Sequence, residues 1–175
     1  MKKYLLLSLL GFSILCSNHL DAQFSIALTP GILKPTKATD PQLGFTISGK
    51  YAVNEKITVG LNFGRYTKSY GSGLYKITLV TSPITGLFEY AFSTGKFSPY
   101  AGADLGFYSA KTLGGLVPSK NNLFGAALAL GFNYHINKHV AINSNAKYHY
   151  SVGNNSSRVP FIGFNAGVAF SFGIK

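Results

Sequence analysis

Large apolar residues alternate with small or polar residues along most of the chain beyond residue 22. In the last such segment the large or apolar members are Ile162, Phe164, Ala166, Val168, Phe170 and Phe172, and the members between them are Gly163, Asn165, Gly167, Ala169 and Ser171. Successive side chains of a β-strand point to opposite faces, whereas a helix repeats about every 3.6 residues. The pattern therefore predicts strands with one apolar face and one face of small or polar residues.

Eight segments follow this pattern, over residues 24–28, 43–53, 57–64, 77–92, 99–107, 123–136, 140–150 and 162–172. The fourth contains a break, because Ile77 and Leu79 have the opposite parity to Ile84 and Phe88. A bulge near Ser82-Pro83 is predicted there, since an extra residue in a strand reverses the side-chain parity.

The connections between these segments alternate in length. Tight turns are predicted at Asn54-Glu55, 93–96 and Asn137-Lys138, and longer loops at 30–42, 112–122 and 153–160, with a short loop at 70–73. Short turns on one rim and longer loops on the other are typical of bacterial outer-membrane barrels, in which the short turns are periplasmic. Both ends of the barrel are then expected in the periplasm.

The composition favours a barrel in lipid over a soluble protein. Only 12% of the 175 residues are charged, about half the usual share, although 46% are hydrophobic. A soluble sandwich or lipocalin-like barrel, the alternative fold, would carry many charged residues on its polar face, but here that face is mostly Gly, Ala, Asn and Ser. Small residues suit a crowded barrel interior. The predicted fold is therefore all-β, an eight-stranded antiparallel up-and-down transmembrane β-barrel.

The first 22 residues have the features of a cleaved signal peptide. A basic start, Met1-Lys2-Lys3, precedes an apolar stretch over 4–16, and cleavage is predicted after Ala22. The stretch is shorter than the roughly 18 apolar residues that a membrane-spanning helix needs. We therefore assign 1–22 as signal peptide and 23–175 as the barrel domain, which lacks cysteine and has a net charge of +10 (14 basic, 4 acidic residues).

Two motifs resemble the small eight-stranded outer-membrane barrels typified by OmpX and the transmembrane domain of OmpA. Residues 98–108 (SPYAGADLGFY) are similar to the PYxGxGxGxY strand of that porin-like family, with Asp104 replacing a small residue. Asn165, Gly167, Phe170 and Phe172 resemble the C-terminal signal for the barrel-assembly machinery, although Gly173-Ile174-Lys175 extend beyond it. The resemblance implies an integral protein of the Gram-negative outer membrane that contacts lipid and lipopolysaccharide. We expect a monomer without a cofactor.

Four charged residues fall on predicted inward faces: Lys50, Glu89, Asp104 and Lys147. An unpaired buried charge is costly, so these residues are expected to pair. A network that orders the lumen and a gate that switches partners to admit ions both remain open. Glu89 and Asp104 acting as a catalytic acid and base is a third option without other support.

One motif points to an enzyme. His149-Tyr150-Ser151 is similar to the His-x-Ser of outer-membrane lipid A deacylases, but no acidic residue follows Asp104 in the chain, and parity places His149 and Ser151 inside. His135 and His139, with Asn137, form at most an adventitious metal site. We therefore predict a protein that is not an enzyme and has neither catalytic residues nor a dedicated metal site.

Basic residues concentrate at the predicted outer loops and strand ends, a set that we call the basic rim. Its members are Lys34, Lys37, Arg65, Lys68, Lys76, Lys111, Lys120 and Arg158, with only Asp40 opposing them. The charge favours binding of lipopolysaccharide phosphates or acidic glycans, although solvated loop charge without a ligand is an equal alternative. Nucleic acid fits the charge but not the location.

These observations predict a structural, envelope-integrity or surface-interaction role through basic extracellular loops. A narrow porin-like channel for ions or small solutes is the alternative, and a lipid A-modifying enzyme is a remote one.

Overall fold

The computed structural model describes residues 23–36, 40–114, 118–153 and 158–172. Eight strands make up almost all of this part: β1 (Gln23–Pro35), β2 (Gln42–Ala52), β3 (Ile57–Tyr70), β4 (Ile77–Ala91), β5 (Phe97–Leu113), β6 (Ser119–His135), β7 (Val140–Gly153) and β8 (Arg158–Phe172). They form a closed antiparallel barrel in chain order, with β8 paired to β1. The predicted fold is therefore confirmed, whereas the predicted signal peptide lies outside the described residues.

The alternation of the sequence determines which side chains face the lumen. On β6, Leu128 is 71% exposed on the outer face, whereas its neighbours Ala127 and Ala129 are buried inside. The same two-residue pattern of burial holds along the central part of each strand. The outer face of the barrel is thus apolar, and the lumen is lined by small and polar groups. No helix in the described ranges has the length and hydrophobicity needed to span a membrane.

Three tight turns, 53–56, 92–96 and 136–139, form one rim of the barrel, the turn rim. Two of them share one device, in which an asparagine side chain caps the turn. Asn54 Oδ1 accepts hydrogen bonds from the backbone N–H groups of Lys56 and Ile57, and Asn137 Oδ1 accepts those of His139 and Val140. Asparagine is favoured in turns for this reason.

The opposite rim, the loop rim, has shorter loops than the sequence predicted. β1 continues to Pro35, β6 begins at Ser119 and β8 begins at Arg158, so the segments between strands shrink to 36–41, 71–76, 114–118 and 154–157. The expected long loops were wrong because strand pairing continues through their polar residues: Thr112, for example, pairs with Ser119. The strands β5, β6 and β8, with 15–17 residues each, exceed the roughly 9–11 that cross a bilayer.

The predicted bulge at Ser82-Pro83 is also wrong. β4 keeps one register from end to end, since Ile57 pairs with Tyr90 and Tyr70 pairs with Ile77 on the same ladder, and its pairing with β5 is likewise continuous. Pro83, which has no N–H to donate, faces Gly64, and the ladder lacks only the pairs at this position. Ile77 and Leu79 therefore belong to the inner parity near the loop rim.

Candidate functional site

The four inward charged residues form two ion pairs inside the lumen. Lys50 Nζ lies 2.8 and 2.9 Å from the two carboxylate oxygens of Glu89, and Lys147 Nζ lies 2.6 Å from Asp104 Oδ2. Each pair reaches over an intervening strand, β3 for the first and β6 for the second. The lysines can reach across these strands because small residues oppose them: Gly60 on β3 pairs with Lys50, and Ala129 on β6 pairs with Lys147.

Further hydrogen bonds hold the second pair in place. Asp104 Oδ2 also accepts from Asn62 Nδ2 at 2.9 Å and from Thr85 Oγ1 at 3.4 Å, and Ser48 Oγ donates to Asn62 Oδ1 at 2.6 Å. The side chains of Lys147 and Asp104 are only 9% and 4% exposed. Both charges are therefore compensated, which a buried pair requires to be tolerated.

A second chain of hydrogen-bonded hydroxyl and amide groups runs along the lumen and ends beside the first ion pair. Tyr66 Oη shares a hydrogen bond with Thr46 and donates to Asn165 Oδ1, and the chain continues through Asn145 and Asn143 to Tyr100. Lys50 Nζ lies 5.4 Å from the centre of the Tyr100 ring. Sequence reasoning did not assign Tyr66 or Tyr100 a role. For Tyr100 the signal was available, since it is an aromatic residue on an otherwise small inward face, whereas Tyr66 lies beyond the third predicted segment, which ended at residue 64.

Bulky side chains close the lumen toward the loop rim. This closure, which we call the plug, is formed by residues at most 4% exposed: Leu33, Tyr66, Tyr108, Leu123 and Phe161. The rings of Tyr108 and Phe161 are parallel, with their centres 6.4 Å apart. Near the turn rim a second buried cluster consists of small residues, Ala27, Ala141 and Ala169.

His149 and Ser151, the two residues of the possible catalytic motif, lie in the same closed part of the lumen as the plug. His149 Nδ1 is 2.9 Å from Tyr108 Oη, whereas Ser151 Oγ donates to the backbone carbonyl of Val159 at 2.8 Å. Both residues are buried inside the barrel, at 6% and 0% exposure. The serine hydroxyl is therefore engaged with the backbone instead of being presented to a lipid on the outer face.

The basic rim is divided between the two faces of the barrel. Five members are exposed at outward-facing positions near the loop rim: Lys34, Arg65, Lys111, Lys120 and Arg158. Lys76 is exposed in the loop before β4, and Lys68, at an inner position, forms an ion pair with Asp40 at 3.4 Å. Lys37 lies outside the described residues. Lys68 is the only rim member with an ion pair in the described part of the chain.

The four residues of the possible assembly signal lie on β8, beside its seam with β1. Asn165 is buried and bonded to Tyr66, and Gly167 faces the backbone of Thr29 so closely that a side chain would collide with it. Phe170 and Phe172 are on the outer face, about half exposed.

At the turn rim, His139 Nδ1 lies 3.3 Å from the backbone carbonyl oxygen of Ser171. The described ranges contain no cluster of three side chains that could bind a metal ion.

The sequence agrees with this architecture. Residues 5–172 match the family model described as outer membrane protein beta-barrel domain. The chain belongs to that family. It is therefore an integral protein of the outer membrane, whose apolar outer face lies in lipid and whose turn rim, where the described chain starts and ends, is periplasmic.

Solved structures share the fold of this outer-membrane barrel at low sequence identity. Neisserial surface protein A is 20% identical with a TM-score of 0.68, covering 87% of this chain and 97% of its own. Ail of Yersinia pestis, in complex with the heparin analogue sucrose octasulfate, is 17% identical with a TM-score of 0.60 (87% and 100% covered). OprG of Pseudomonas aeruginosa is 18% identical with a TM-score of 0.61 (88% and 97%). No curated protein matches the chain in sequence.

Proposed function

We propose that this barrel is a monomeric, non-enzymatic surface protein that binds anionic glycans, including the sugar phosphates of lipopolysaccharide, through its basic rim. The main support for this proposal is the charge imbalance at the loop rim, where six exposed cations have no ion-pair partner among the described residues. Uncompensated charge of one sign attracts an oppositely charged partner over about a Debye length, roughly 8 Å in physiological salt.

Two further observations support a surface role. Ail, which shares this fold, is described in complex with a polyanionic sulfated sugar, sucrose octasulfate. The lumen offers no exposed catalytic group in the described chain, because Ser151, His149 and Asp104 are all buried and hydrogen-bonded within the barrel. Its polar groups serve instead to fill and order the interior.

A narrow channel is less well supported. The ion pairs could open only by breaking several hydrogen bonds at once, and the plug of Tyr108, Leu123 and Phe161 stands between them and the outside. Eight-stranded barrels have interiors that side chains can fill completely. Gating by Lys50, Glu89, Asp104 and Lys147 remains a hypothesis that conductance measurements address.

The test measures retention of the refolded protein on beads coated with heparin or lipopolysaccharide. Charge reversal at three rim positions, Lys34→Glu, Lys76→Glu and Arg158→Glu, is expected to lower retention at about 0.1 M salt, and about 1 M salt should abolish the difference because it screens charges beyond roughly 3 Å.

The matched control reverses three lysines of the turn rim, Lys56→Glu, Lys96→Glu and Lys138→Glu. It makes the same change in net charge at the other end of the barrel, so any effect of overall charge appears in both variants. Retention that is unaffected by the loop-rim reversal, or lowered equally by both reversals, would contradict binding at the basic rim.

A further inference from the structure

Two members of the basic rim directly oppose each other across a strand pair. Lys111 on β5 pairs with Lys120 on β6, and both side chains are exposed on the outer face of the barrel. Directly opposed side chains have Cβ atoms about 5 Å apart, and like charges in that position destabilise a sheet. An anion lying between the two ammonium groups would relieve this repulsion.

The residues below the lysines complete an amphipathic patch. One step down the same face, Ser109 pairs with Asn122, and the Ser109 Oγ atom is buried without a hydrogen-bond partner. The next step down is apolar, with the Phe107 and Phe124 rings in an edge contact at 5.3 Å. From the membrane outward, the face thus presents aromatic rings, then the exposed Asn122 amide, then two cations.

The depth of the patch corresponds to the lipid headgroups. Strands rise about 3.3 Å per residue and tilt by about 40°, so the ten steps from Phe97 to Phe107 span roughly 25 Å, the height of the apolar band in such barrels. Four more residues place the Lys111 backbone roughly 10 Å above Phe107. Lysine stems can bend toward the membrane, which brings both ammonium groups to headgroup depth.

The described carboxylates all lie elsewhere and cannot neutralise this pair. Glu89 and Asp104 are paired inside the lumen, Asp40 is paired with Lys68, and Glu55 is in a turn at the periplasmic rim.

We propose that Lys111, Lys120, Ser109 and Asn122 form a seat for the phosphate group of an outer-leaflet glycolipid, whose acyl chains lie against Phe107 and Phe124. Both ammonium groups converge on one phosphate, the exposed Asn122 side chain bonds to its sugar, and Ser109, whose Oγ atom is buried, packs beneath it. This inference rests on the proposed function but assigns these two lysines to a lipid of the protein's own membrane, whereas the remaining rim cations face soluble or cell-surface glycans.

The experiment titrates the detergent-folded protein with lipid A and counts bound lipid by native mass spectrometry. Lys111→Gln with Lys120→Gln is expected to weaken binding of diphosphorylated lipid A about tenfold, because charge-assisted bonds to the phosphate are lost. The control, Lys56→Gln with Lys138→Gln, removes the same charge at the turn rim, away from the seat, and should bind as the wild type does. Resistance to SDS at room temperature verifies that each variant is folded.

Three comparisons decide between the outcomes. Dephosphorylated lipid A should bind wild type and double variant equally, and inorganic phosphate at the same concentration should not displace the lipid. Equal binding of diphosphorylated lipid A to the wild type and the double variant would overturn the seat. A double variant that loses heparin retention but keeps lipid A binding would also overturn the seat, because the lysines would then bind the soluble glycan. That result would leave the proposed function intact.

Discussion

Neutralising Asp104 should destabilise the barrel far more than the loss of a single hydrogen bond. In Asp104→Asn the shape of the side chain is kept, and an amide oxygen can still accept bonds from Asn62 and Thr85. The negative charge beside Lys147 is lost, however, and the Lys147 side chain is only 9% exposed. The variant therefore isolates the effect of leaving a buried ammonium group without a counter-charge.

The magnitude follows from that burial. Removing one partner of a buried ion pair costs about 3–5 kcal/mol, because the remaining charge stays desolvated. At about 1.4 kcal/mol for each factor of ten, this loss lowers the folding equilibrium constant by at least about 100-fold. The double variant, Asp104→Asn with Lys147→Met, removes both charges and should recover most of the stability, because no uncompensated charge then remains buried.

The assay is equilibrium unfolding in urea of protein refolded into phospholipid vesicles, followed by the mobility of the folded form on unheated SDS gels. Glu55→Gln, which changes an exposed carboxylate in a turn, is the control and should unfold as the wild type does. A single variant as stable as the wild type, or a double variant as unstable as the single one, would refute the argument that Asp104 compensates a buried charge.

Three other predictions concern the closure of the lumen, the close packing around Gly131, and assembly in the outer membrane. Wild-type protein inserted in a planar bilayer should show no ion conductance. The double variant Tyr108→Ala with Phe161→Ala should conduct ions because it lacks two side chains of the plug. Steady openings of the wild type that change in Glu89→Gln would instead support the gate. Gly131→Val should destabilise the barrel by about 2 kcal/mol or more, since even a Cβ atom would lie 2.7 Å from the Tyr100 ring. Combining it with Tyr100→Phe should not restore stability, because the Ser144 carbonyl also crowds the site. Phe172→Ser should lower the amount of protein assembled in the outer membrane without changing the urea midpoint of refolded protein, and equal amounts in cells would remove the assembly role of this residue.

The two-residue alternation determined most of what is local in this protein. It separated the outer from the inner face of each strand, placed Lys50, Glu89, Asp104 and Lys147 in the lumen, and placed His149 and Ser151 beside them. This succeeded because the orientation of a strand side chain depends only on its parity, and because lipid and a narrow lumen select side chains of very different size and polarity.

The same reasoning was wrong at positions where the size or polarity of a side chain did not match its place in the strand pairing. It introduced a bulge at Ser82-Pro83 and ended several strands early, because Ile77 and Leu79 are apolar at inner positions and the strand ends are polar. Near the loop rim the lumen is closed by bulky residues and the strands extend beyond the membrane. The rule of a large outer face and a small inner face therefore no longer applies there.

Only the tertiary structure decided which groups meet. Lys50 bonds to Glu89 across β3, Asp104 bonds to Lys147 across β6, and Lys111 faces Lys120. These partners depend on the register between strands and on the closure of the barrel, which parity within one strand leaves undetermined. Thus the sequence alone determined the strands, the fold class and the two faces, whereas long-range strand pairing determined the ion pairs, the plug and the lysine pair on the outer face.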